Sequence, residues 1–264
     1  MPVDTPYLSV IVPAYNEGKS IGRTMAAMRA YLDRQPYTYE VIVAADGTDD
    51  TRDIVAALAK ADPRVRLIGG PERGGKGKAV RGGVQVARGE VIGFLDADYK
   101  TPVDELDKVL PLLDGGADVV IGSRRAAGTQ IVRRQPLYRR AGSVAFKGVL
   151  RMLIGLHDIT DTQCGFKFFT AAAARTIFAR QRVDGYMFDV EVLRLARELG
   201  YGIRQVGVVW QDDGDTRYNP VTGTWRNARE LLRIRFGTRR AVVSPTPETA
   251  PAASLPTGTK VQGG

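Results

Sequence analysis

Short apolar runs alternate along this chain with longer stretches in which apolar residues recur every three or four positions. The first run covers residues 7–15, and the stretch after it places four apolar residues on one helical face: Ile21, Met25, Met28 and Leu32. The same pairing recurs after three later runs, at residues 39–46, 65–70 and 90–98. The pattern predicts four consecutive βα units.

These apolar runs are nearly continuous, whereas a strand with one solvated face would alternate apolar and polar residues. Continuous runs are typical of parallel strands that helices cover on both faces. At 264 residues, of which 44% are apolar and 25% charged, the chain can bury one sizeable core. We therefore predict an α/β domain over residues 1–240, with a mainly parallel central sheet and peripheral amphipathic helices. The tail at 241–264, rich in Pro, Thr and Ala, is predicted to be disordered.

Polar residues follow each of the four predicted strands. They are Tyr15, Asn16 and Glu17 after the first, Asp46 and Gly47 after the second, Gly74 to Gly77 after the third, and Asp96 and Asp98 after the fourth. Any one of these clusters is also typical of a turn or a helix cap. Ligands bind beyond the carboxyl ends of parallel strands, so the coincidence of four clusters there predicts a binding site at this rim.

Asp96 and Asp98 indicate a metal site. Side chains at positions i and i+2 of an extended segment point the same way, so both carboxylates are expected to face one hard cation. Mg²⁺ or Mn²⁺ suits such a pair, because coordination positions then stay open for phosphate oxygens. The stretch PERGGKGKAVRGG at 71–83 is expected to offer unencumbered backbone and Lys76 to a phosphate. It is not a P-loop, and the first strand-helix turn lacks the G-x-G-x-x-G of dinucleotide-binding enzymes.

The net charge of +9 is concentrated in one segment. Eight of the 38 basic residues lie between Arg124 and Arg151, where no acidic residue occurs, and the other 30 nearly balance the 29 acidic residues. Charge alone leaves nucleic acid, anionic lipid headgroups and a phosphorylated substrate open as partners. Apolar residues are interleaved with basic ones at 136–156 and 224–240. Either segment is typical of a helix in the headgroup region or of an ordinary amphipathic helix on the core.

The cysteine content and the N-terminal sequence indicate in which cellular compartment the protein is expected. The single cysteine, Cys164, allows no intramolecular disulfide, and no Cys/His cluster indicates a zinc site. The N-terminus lacks a basic region followed by a long apolar one, and no run of 18 apolar residues occurs. We predict a cytoplasmic protein without a transmembrane helix.

Six motifs together resemble the family 2 glycosyltransferases: SVIVPAYNEGKSI, ADGTDDT, GGKGKAVRGG, DADYKTP, GSRR and DTQCGFKFFT. The last, followed by FDVEVL, is the narrowest and is similar to the dolichyl-phosphate glucosyltransferases, a branch of the polyprenyl-phosphate sugar synthases. The resemblance covers residues 7–235 and implies a GT-A fold. Its nucleotide-sugar-binding half would be 7–117 and its acceptor- and membrane-facing half 118–240, peripheral on the cytoplasmic face of an anionic membrane.

The resemblance also implies roles for residues on the donor side. The nucleotide sugar would be bound by Pro13, Tyr15, Glu17, Asp46, Lys76, Asp96 and Arg217. Asp46 would accept from the base imide, Lys76 would lie near the diphosphate, and Asp96 and Asp98 would bind the metal. Two positions depart from the family: Ala45 replaces a second acid, and Lys100 stands where mannose-transferring relatives often carry Gln. Lys100 weakens the mannosyl interpretation.

On the acceptor side, the resemblance implies binding by Arg124, Arg139, Arg140, Asp161, Gln163 and Asp189. A phosphate monoester has a second pKa of about 6 and is already a dianionic nucleophile at neutral pH, so a general base is optional. It does need cations to overcome repulsion from the donor diphosphate. Arg124 matches the family's acceptor-phosphate position best, and with Asp96 and Asp98 it completes the expected catalytic set. Asp189 is equally typical of a helix N-cap, and the only histidine, His157, is interpreted as a loop or packing residue.

The expected reaction is an inverting, metal-dependent transfer of a hexose, glucose from UDP-glucose, to a dolichyl-type polyprenyl phosphate. The alternatives within the family are a GDP-mannose-dependent enzyme and a transferase acting on a hydroxyl. A catalytically silent binding protein would be expected to have lost Asp96 or Asp98, and both are present. Nucleic acid is not an expected partner, because the chain has no recognisable binding module.

Overall fold

The structure is a computed structural model that describes residues 5–131, 154–211 and 220–237. Three candidate residues, Arg139, Arg140 and Arg217, lie outside the described residues, as does the C-terminal tail at 241–264. Most of the predicted amphipathic segment at 136–156 also lies outside them.

The first half of the chain consists of successive strands and helices, as the apolar pattern predicts. Its elements are β1 (Leu8–Tyr15), α1 (Gly18–Leu32), β2 (Tyr39–Asp46), α2 (Thr51–Ala61), β3 (Val65–Ile68), α3 (Lys76–Val86), β4 (Val91–Leu95), a 3₁₀ turn (Val103–Glu105), α4 (Leu106–Asp114) and β5 (Val119–Ser123). The described elements that follow are β6 (Gln130–Ile131), β7 (Phe166–Thr170), α5 (Ala171–Arg180), α6 (Phe188–Glu198), β8 (Ile203–Gly207), β9 (Val209–Trp210) and α7 (Pro220–Gly237).

Seven strands form one sheet in the order β3-β2-β1-β4-β7-β5-β8, and β6 pairs with β9 separately. Only β7 runs antiparallel to its neighbours β4 and β5, so the prediction of a mainly parallel sheet is confirmed. The chain moves outward from β1 to β3 and then returns to place β4 on the other side of β1. In open α/β sheets such a reversal forms a ligand-binding crevice at the carboxyl ends of the two strands, which here are β1 and β4.

The continuous apolar strands are explained by two cores, one on each face of the sheet. In β1, Val10 and Val12 belong to one core and Ile11 to the other, and all three are fully buried. The predicted helical faces supply the covering layers: Ile21, Met25, Met28 and Leu32 of α1 and the apolar residues of α4 on one side, Val80 and Val84 of α3 on the other. In α2 the prediction holds only in part, because Val55 is buried while Ile54 and Leu58 are half-buried.

The antiparallel strand β7 fills the gap between β4 and β5. Its second residue, Lys167, is in register with Phe94 of β4 and Ile121 of β5. Gly93 makes this close packing feasible, since a Cβ there would come within 2.0 Å of the Phe168 ring. A fully buried lysine therefore lies inside the sheet, close to the carboxyl end of β4.

None of the helices in the described part of the chain is long and apolar enough to cross a lipid bilayer.

Candidate active site

The nucleotide-side candidates lie together at the carboxyl ends of β1 and β2. Pro13 is two residues beyond Ile11, the last β1 residue that pairs with β4, so its missing N–H interrupts no bond between these two strands. Glu17 begins the turn into α1: its N–H donates to Thr51 Oγ1 at 2.7 Å and its carboxylate accepts from Ser20 Oγ at 2.7 Å. The structure therefore brings both to the rim.

Asp46 connects this rim to the loop before α3. One carboxylate oxygen accepts from the Gly74 N–H at 2.8 Å and the other from the Gly70 N–H at 3.4 Å. The Arg73 guanidinium in the same loop stacks over the Tyr15 ring at 4.4 Å, and Tyr15 is 38% exposed. An accessible aromatic ring and an anchored carboxylate thus share one side of the crevice.

Asp96 and Asp98 lie at the predicted place, but the backbone reason given for their common direction is wrong. Strand β4 ends at Leu95, and residues 96–99 form a turn closed by the Tyr99 N–H donating to the Asp96 carbonyl at 3.2 Å. Tyr99, the last residue of this turn, adopts a left-handed conformation with φ of 57°. The turn, rather than strand alternation, holds the two carboxylates close together.

The electrostatics of this turn suit a divalent cation. Burial, followed by the neighbouring Asp96 charge, raises the pKa of Asp98 above its ordinary value, although Lys100 opposes the shift. Each carboxylate already carries a cation: Lys76 Nζ lies 2.6 Å from Asp96 Oδ1, and Lys100 Nζ lies 3.1 Å from Asp98 Oδ2. Both side chains stay reachable, with exposures of 39% and 34%. Their hard oxygen donors and mutual repulsion fit Mg²⁺ or Mn²⁺.

Two carboxylates would not complete a metal site by themselves. Over residues 5–131, 154–211 and 220–237, no group of three or more His, Cys, Asp or Glu side chains is arranged to hold a metal ion. The remaining ligands would have to be water or oxygens of a bound substrate.

The glycine-rich loop differs from its predicted use. The N–H groups of Gly77 and Lys78 both donate to the Asp184 carbonyl, at 2.8 and 3.3 Å. A Cβ on Gly75 would lie 2.4 Å from that carbonyl oxygen, and one on Gly77 would lie 2.2 Å from the Val183 carbonyl oxygen. The expectation of unencumbered backbone is therefore wrong for Gly77 and Lys78, because these glycines admit a close approach of residues 183–185.

Lys76, at the start of α3, points back to the rim. Besides Asp96, its ammonium faces Asp189 Oδ2 at 3.9 Å. Burial alone would lower the pKa of Lys76, but Asp96 and Asp189 outweigh it, so the pKa is raised above its usual range. Asp189 is not the N-cap of α6, since Met187 holds that position. The N-cap interpretation was therefore wrong, and the Asp189 carboxylate instead pairs with lysines.

Arg124 and Asp161, predicted to bind the acceptor, form an ion pair with each other. Arg124 Nε lies 2.6 Å from Asp161 Oδ2, its Nη2 donates to Oδ1 at 2.9 Å, and its backbone N–H also donates to Oδ2. Burial alone would raise the pKa of Asp161, but Arg124 outweighs it and lowers the pKa to about 2. The Arg124 charge is thus already compensated, while its side chain remains 30% exposed.

The segment around Asp161 also contains Gln163, a predicted acceptor-binding residue, and His157. The Gln163 backbone N–H donates to Asp161 Oδ1 at 3.3 Å, which keeps it beside the Arg124 pair. His157 occupies an exposed turn, as its loop interpretation predicts.

Residues 181–185 contribute to the site, and sequence reasoning missed them. Arg81 of α3 donates to the Gln181 side chain at 2.7 Å and lies 2.6 Å from Asp184, about a hundred residues along the chain. Glu191 accepts from the N–H groups of Arg182 and Val183, and its pKa is raised by burial. No local sequence signal marks a contact of such long range.

Comparison with known proteins agrees with this architecture. Residues 9–178 match the Glycosyl transferase family 2. One dolichyl-phosphate beta-glucosyltransferase of Trichomonas vaginalis is 37% identical over 241 residues, which cover 86% of this chain and 70% of that protein. The Homo sapiens dolichyl-phosphate beta-glucosyltransferase is 33% identical over 246 residues, covering 88% and 76%.

Among solved structures, glucosyl-3-phosphoglycerate synthase from Mycobacterium tuberculosis, in complex with Mn²⁺, UDP-glucose and phosphoglyceric acid, aligns with a TM-score of 0.65. The identity is 21%, and the alignment covers 88% of this chain and 79% of that one, so the likeness concerns the GT-A fold. The family match and the high coverage of the relatives agree with the predicted resemblance. The chain belongs to glycosyl transferase family 2 and is related to the dolichyl-phosphate beta-glucosyltransferases.

Proposed function

We propose that this enzyme transfers glucose from UDP-glucose to a polyprenyl phosphate and inverts the anomeric configuration, so that an α-linked donor gives a β-linked lipid-phosphate sugar. The observation that carries the proposal is the rim itself, where Asp46, the Asp96–Asp98 turn and Lys76 border one crevice. The relatives whose names specify dolichyl-phosphate glucosyl transfer support the choice of donor and acceptor.

In this proposal the β1–β2 side of the crevice holds the nucleoside. Tyr15 offers a ring for stacking, and Asp46 offers a carboxylate that can accept from the imide of uracil. Glu17 lies at the start of α1 on the same rim and would help to hold the nucleoside. Pro13 and Arg217 stay donor-side predictions, the latter outside the described residues.

Asp96 and Asp98 would hold Mg²⁺ or Mn²⁺ against the donor diphosphate. A bound divalent cation stabilises the negative charge that develops on the leaving nucleoside diphosphate. Lys76 and Lys100, each already paired with one of these aspartates, add positive charge at the same place. The chain thereby lowers the repulsion that a phosphate nucleophile meets when it approaches a diphosphate.

The acceptor phosphate would approach from the side of Arg124, whose guanidinium is oriented by Asp161 and lies 5.7 Å from the Trp210 ring. An acceptor dianion needs no residue to remove a proton, because it is already deprotonated at neutral pH. The C–O bond to the nucleoside diphosphate breaks as the acceptor oxygen forms its bond on the opposite face of the anomeric carbon. This single displacement requires no covalent glycosyl-enzyme.

We further propose that the exposed face of α7 rests on an anionic membrane and brings the site to its lipid substrate. Leu231 and Ile234 pack into the core, whereas Leu232 is 50% exposed and Phe236 is 69% exposed. The exposed Arg229 and Arg233 lie on the same face as these two residues, and interleaved cations and apolar side chains suit the headgroup region. Attachment would be peripheral, on the cytoplasmic face.

Helix α7 also lies close to the site. Glu230 accepts from the Met187 N–H at 3.1 Å, and residues 183–185 before it contact the start of α3. A membrane bound at α7 would therefore be near the rim that holds Lys76. Membrane-protein partners remain unspecified.

A donor-by-acceptor screen tests the proposed reaction. The purified protein is incubated with UDP-glucose, UDP-galactose, UDP-N-acetylglucosamine or GDP-mannose, each with polyprenyl phosphate or with the corresponding polyprenol. The expected product is a β-linked glucosyl phosphate lipid, formed only with the phosphate. An α-linked product would contradict single displacement, and preferred use of GDP-mannose or of the free hydroxyl would contradict the donor or acceptor assignment.

A further inference from the structure

A chain of alternating charges runs from the rim into the core. Asp96 at the rim binds Lys76 at 2.6 Å, Lys76 faces Asp189 at 3.9 Å, and Asp189 binds Lys167 at 2.5 Å. The side chains become less exposed along this order, at 39%, 16%, 4% and 0%. The buried end is neutralised as a pair, which a charge in the core requires.

The two oxygens of Asp189 are used differently. Oδ1 accepts from Lys167, which also donates to the Cys164 carbonyl at 2.6 Å and is therefore held in place. Oδ2 faces the Lys76 ammonium at a distance too long for a hydrogen bond. Asp189 is thus a fixed carboxylate with one oxygen close to Lys76 that a small side-chain movement would reach.

The side chain of Lys76 can make this movement while its backbone stays in place. Its backbone begins α3, and the next two N–H groups are bound by the Asp184 carbonyl. Phe94 and Phe188 lie beside the ammonium, with ring centroids 5.9 and 5.7 Å away, so aromatic side chains surround it between the two carboxylates. Lys76 can therefore exchange Asp96 for Asp189 without a change of fold.

The Lys76 ammonium lies 2.6 Å from Asp96 Oδ1. A divalent cation bound by Asp96 and Asp98 would therefore lie close to this ammonium, and two positive charges a few ångströms apart repel each other strongly. We propose that Lys76 competes with the divalent cation for Asp96, and that Asp189 receives the Lys76 ammonium when the cation binds. The inference rests on the metal site of the proposed function. It makes Asp189 a positioning residue for Lys76 rather than a residue that touches the acceptor.

The competition predicts that removing a lysine strengthens metal binding. Mn²⁺ is titrated into the full-length protein without donor or acceptor, and free Mn²⁺ is followed by electron paramagnetic resonance. Lys76→Met is expected to lower the Mn²⁺ Kd about tenfold or more, since a competing charge beside Asp96 is gone. Lys76→Arg keeps the charge and is expected to stay close to wild type.

Lys78→Met is the matched control, because it removes the same charge from the exposed side of the same helix. An equal gain in Lys78→Met, or no gain in Lys76→Met, would overturn the competition while leaving the proposed reaction intact. If wild type and all variants fail to bind Mn²⁺ even after UDP is added to supply phosphate oxygens, both the competition and the metal assignment of the proposed function are wrong.

A crystal structure of the wild-type protein with Mn²⁺ tests the second half of the proposal. Lys76 Nζ is expected within about 3.2 Å of Asp189 Oδ2, in hydrogen-bonding range. Lys76 remaining on Asp96 beside the metal would overturn the exchange, whatever the titration shows.

Discussion

The two ends of the parallel strands place acidic side chains in opposite environments. At the amino end, Glu40 is 1% exposed and both carboxylate oxygens are occupied by Ser9, Arg66 and Arg88. Burial alone would raise its pKa, but the Arg88 N–H and the other donors outweigh burial and lower it. At the carboxyl end, burial and Asp96 raise the pKa of Asp98 despite a lysine. A carboxyl pKa is therefore lowered at one end of the strands and raised at the other.

This difference distinguishes acids that stabilise the fold from acids that are available to bind a ligand. A carboxylate whose donors all come from the protein favours the folded chain and has no capacity left for a ligand. A carboxylate held next to another, and still open to solvent, is unfavourable until a cation arrives, and such perturbed groups cluster at functional sites. We therefore expect variants at the two ends to fail in different assays.

The largest effect is expected from Asp98→Asn. Loss of one of two metal-binding carboxylates should reduce kcat by about a thousandfold. The free energy of unfolding should not fall, because burial and Asp96 disfavour the Asp98 charge in the folded chain. EDTA should inactivate wild type reversibly. Steady-state kinetics and urea unfolding measure the two quantities. His157→Ala, in an exposed turn, is the control and should change neither.

Full activity in EDTA would remove the metal from the mechanism. A dead His157→Ala enzyme that folds and binds both substrates would contradict base-free displacement.

Glu40→Gln should give the opposite result. The variant keeps some hydrogen bonds but leaves the Arg66 and Arg88 charges without their buried partner, so the free energy of unfolding should fall by about 3 kcal/mol. This is the low end for a broken buried pair, because the arginines are 33% and 44% exposed. Residual folded enzyme should keep its kcat. Glu90→Gln, at an exposed acid of the same end, is the control for urea unfolding.

The apolar pattern predicted β1 and β2 almost residue by residue, whereas the predicted runs at 65–70 and 90–98 extend beyond the ends of β3 and β4, at Ile68 and Leu95. Predicted runs at 39–46 and 7–15 match β2 (Tyr39–Asp46) and β1 (Leu8–Tyr15), because a strand buried on both faces admits few polar residues. The rim followed from the same logic, since the ends of parallel strands must meet. The domain boundary between the two halves stays a prediction.

What the sequence could not predict depends on contacts between distant segments. The Gly77 and Asp184 backbones meet only in the folded chain, so a glycine needed for close packing looked like one needed for phosphate. The Arg124–Asp161 pair likewise joins two residues that were each assigned to the acceptor. Because the two residues are 37 positions apart, no local motif predicts that their charges neutralise each other.

The Arg124–Asp161 pair lies on the acceptor side, but Asp161 is buried and paired with an arginine, as Glu40 is at the amino end of the strands. The pH dependence of unfolding can show whether Asp161 stabilises the fold as Glu40 does. Its lowered pKa, about 2 against an ordinary 3.8, means that Asp161 stabilises the fold above pH 4 and loses this contribution as pH falls toward 2. Between pH 5 and 2, wild type should therefore lose about 2 kcal/mol more stability than Asp161→Asn. Urea unfolding at each pH measures this. Parallel acid curves would show that the pair does not stabilise the fold.

The smallest effect is expected at the membrane surface, on neither end of the strands. Phe236→Ser should weaken sedimentation with anionic liposomes about tenfold, because one large apolar side chain no longer enters the headgroup region. Leu112→Ser is the matched control: Leu112 is also exposed, at 37%, but lies on α4, which covers the other face of the sheet.

Binding of wild type to anionic liposomes should fall as salt rises, since each arginine near the surface contributes about 1 kcal/mol that salt screens. Activity toward a short, water-soluble prenyl phosphate should be equal in both variants. Equal liposome binding by Phe236→Ser and Leu112→Ser, or indifference of wild type to lipid charge, would leave α7 as a helix of the core alone.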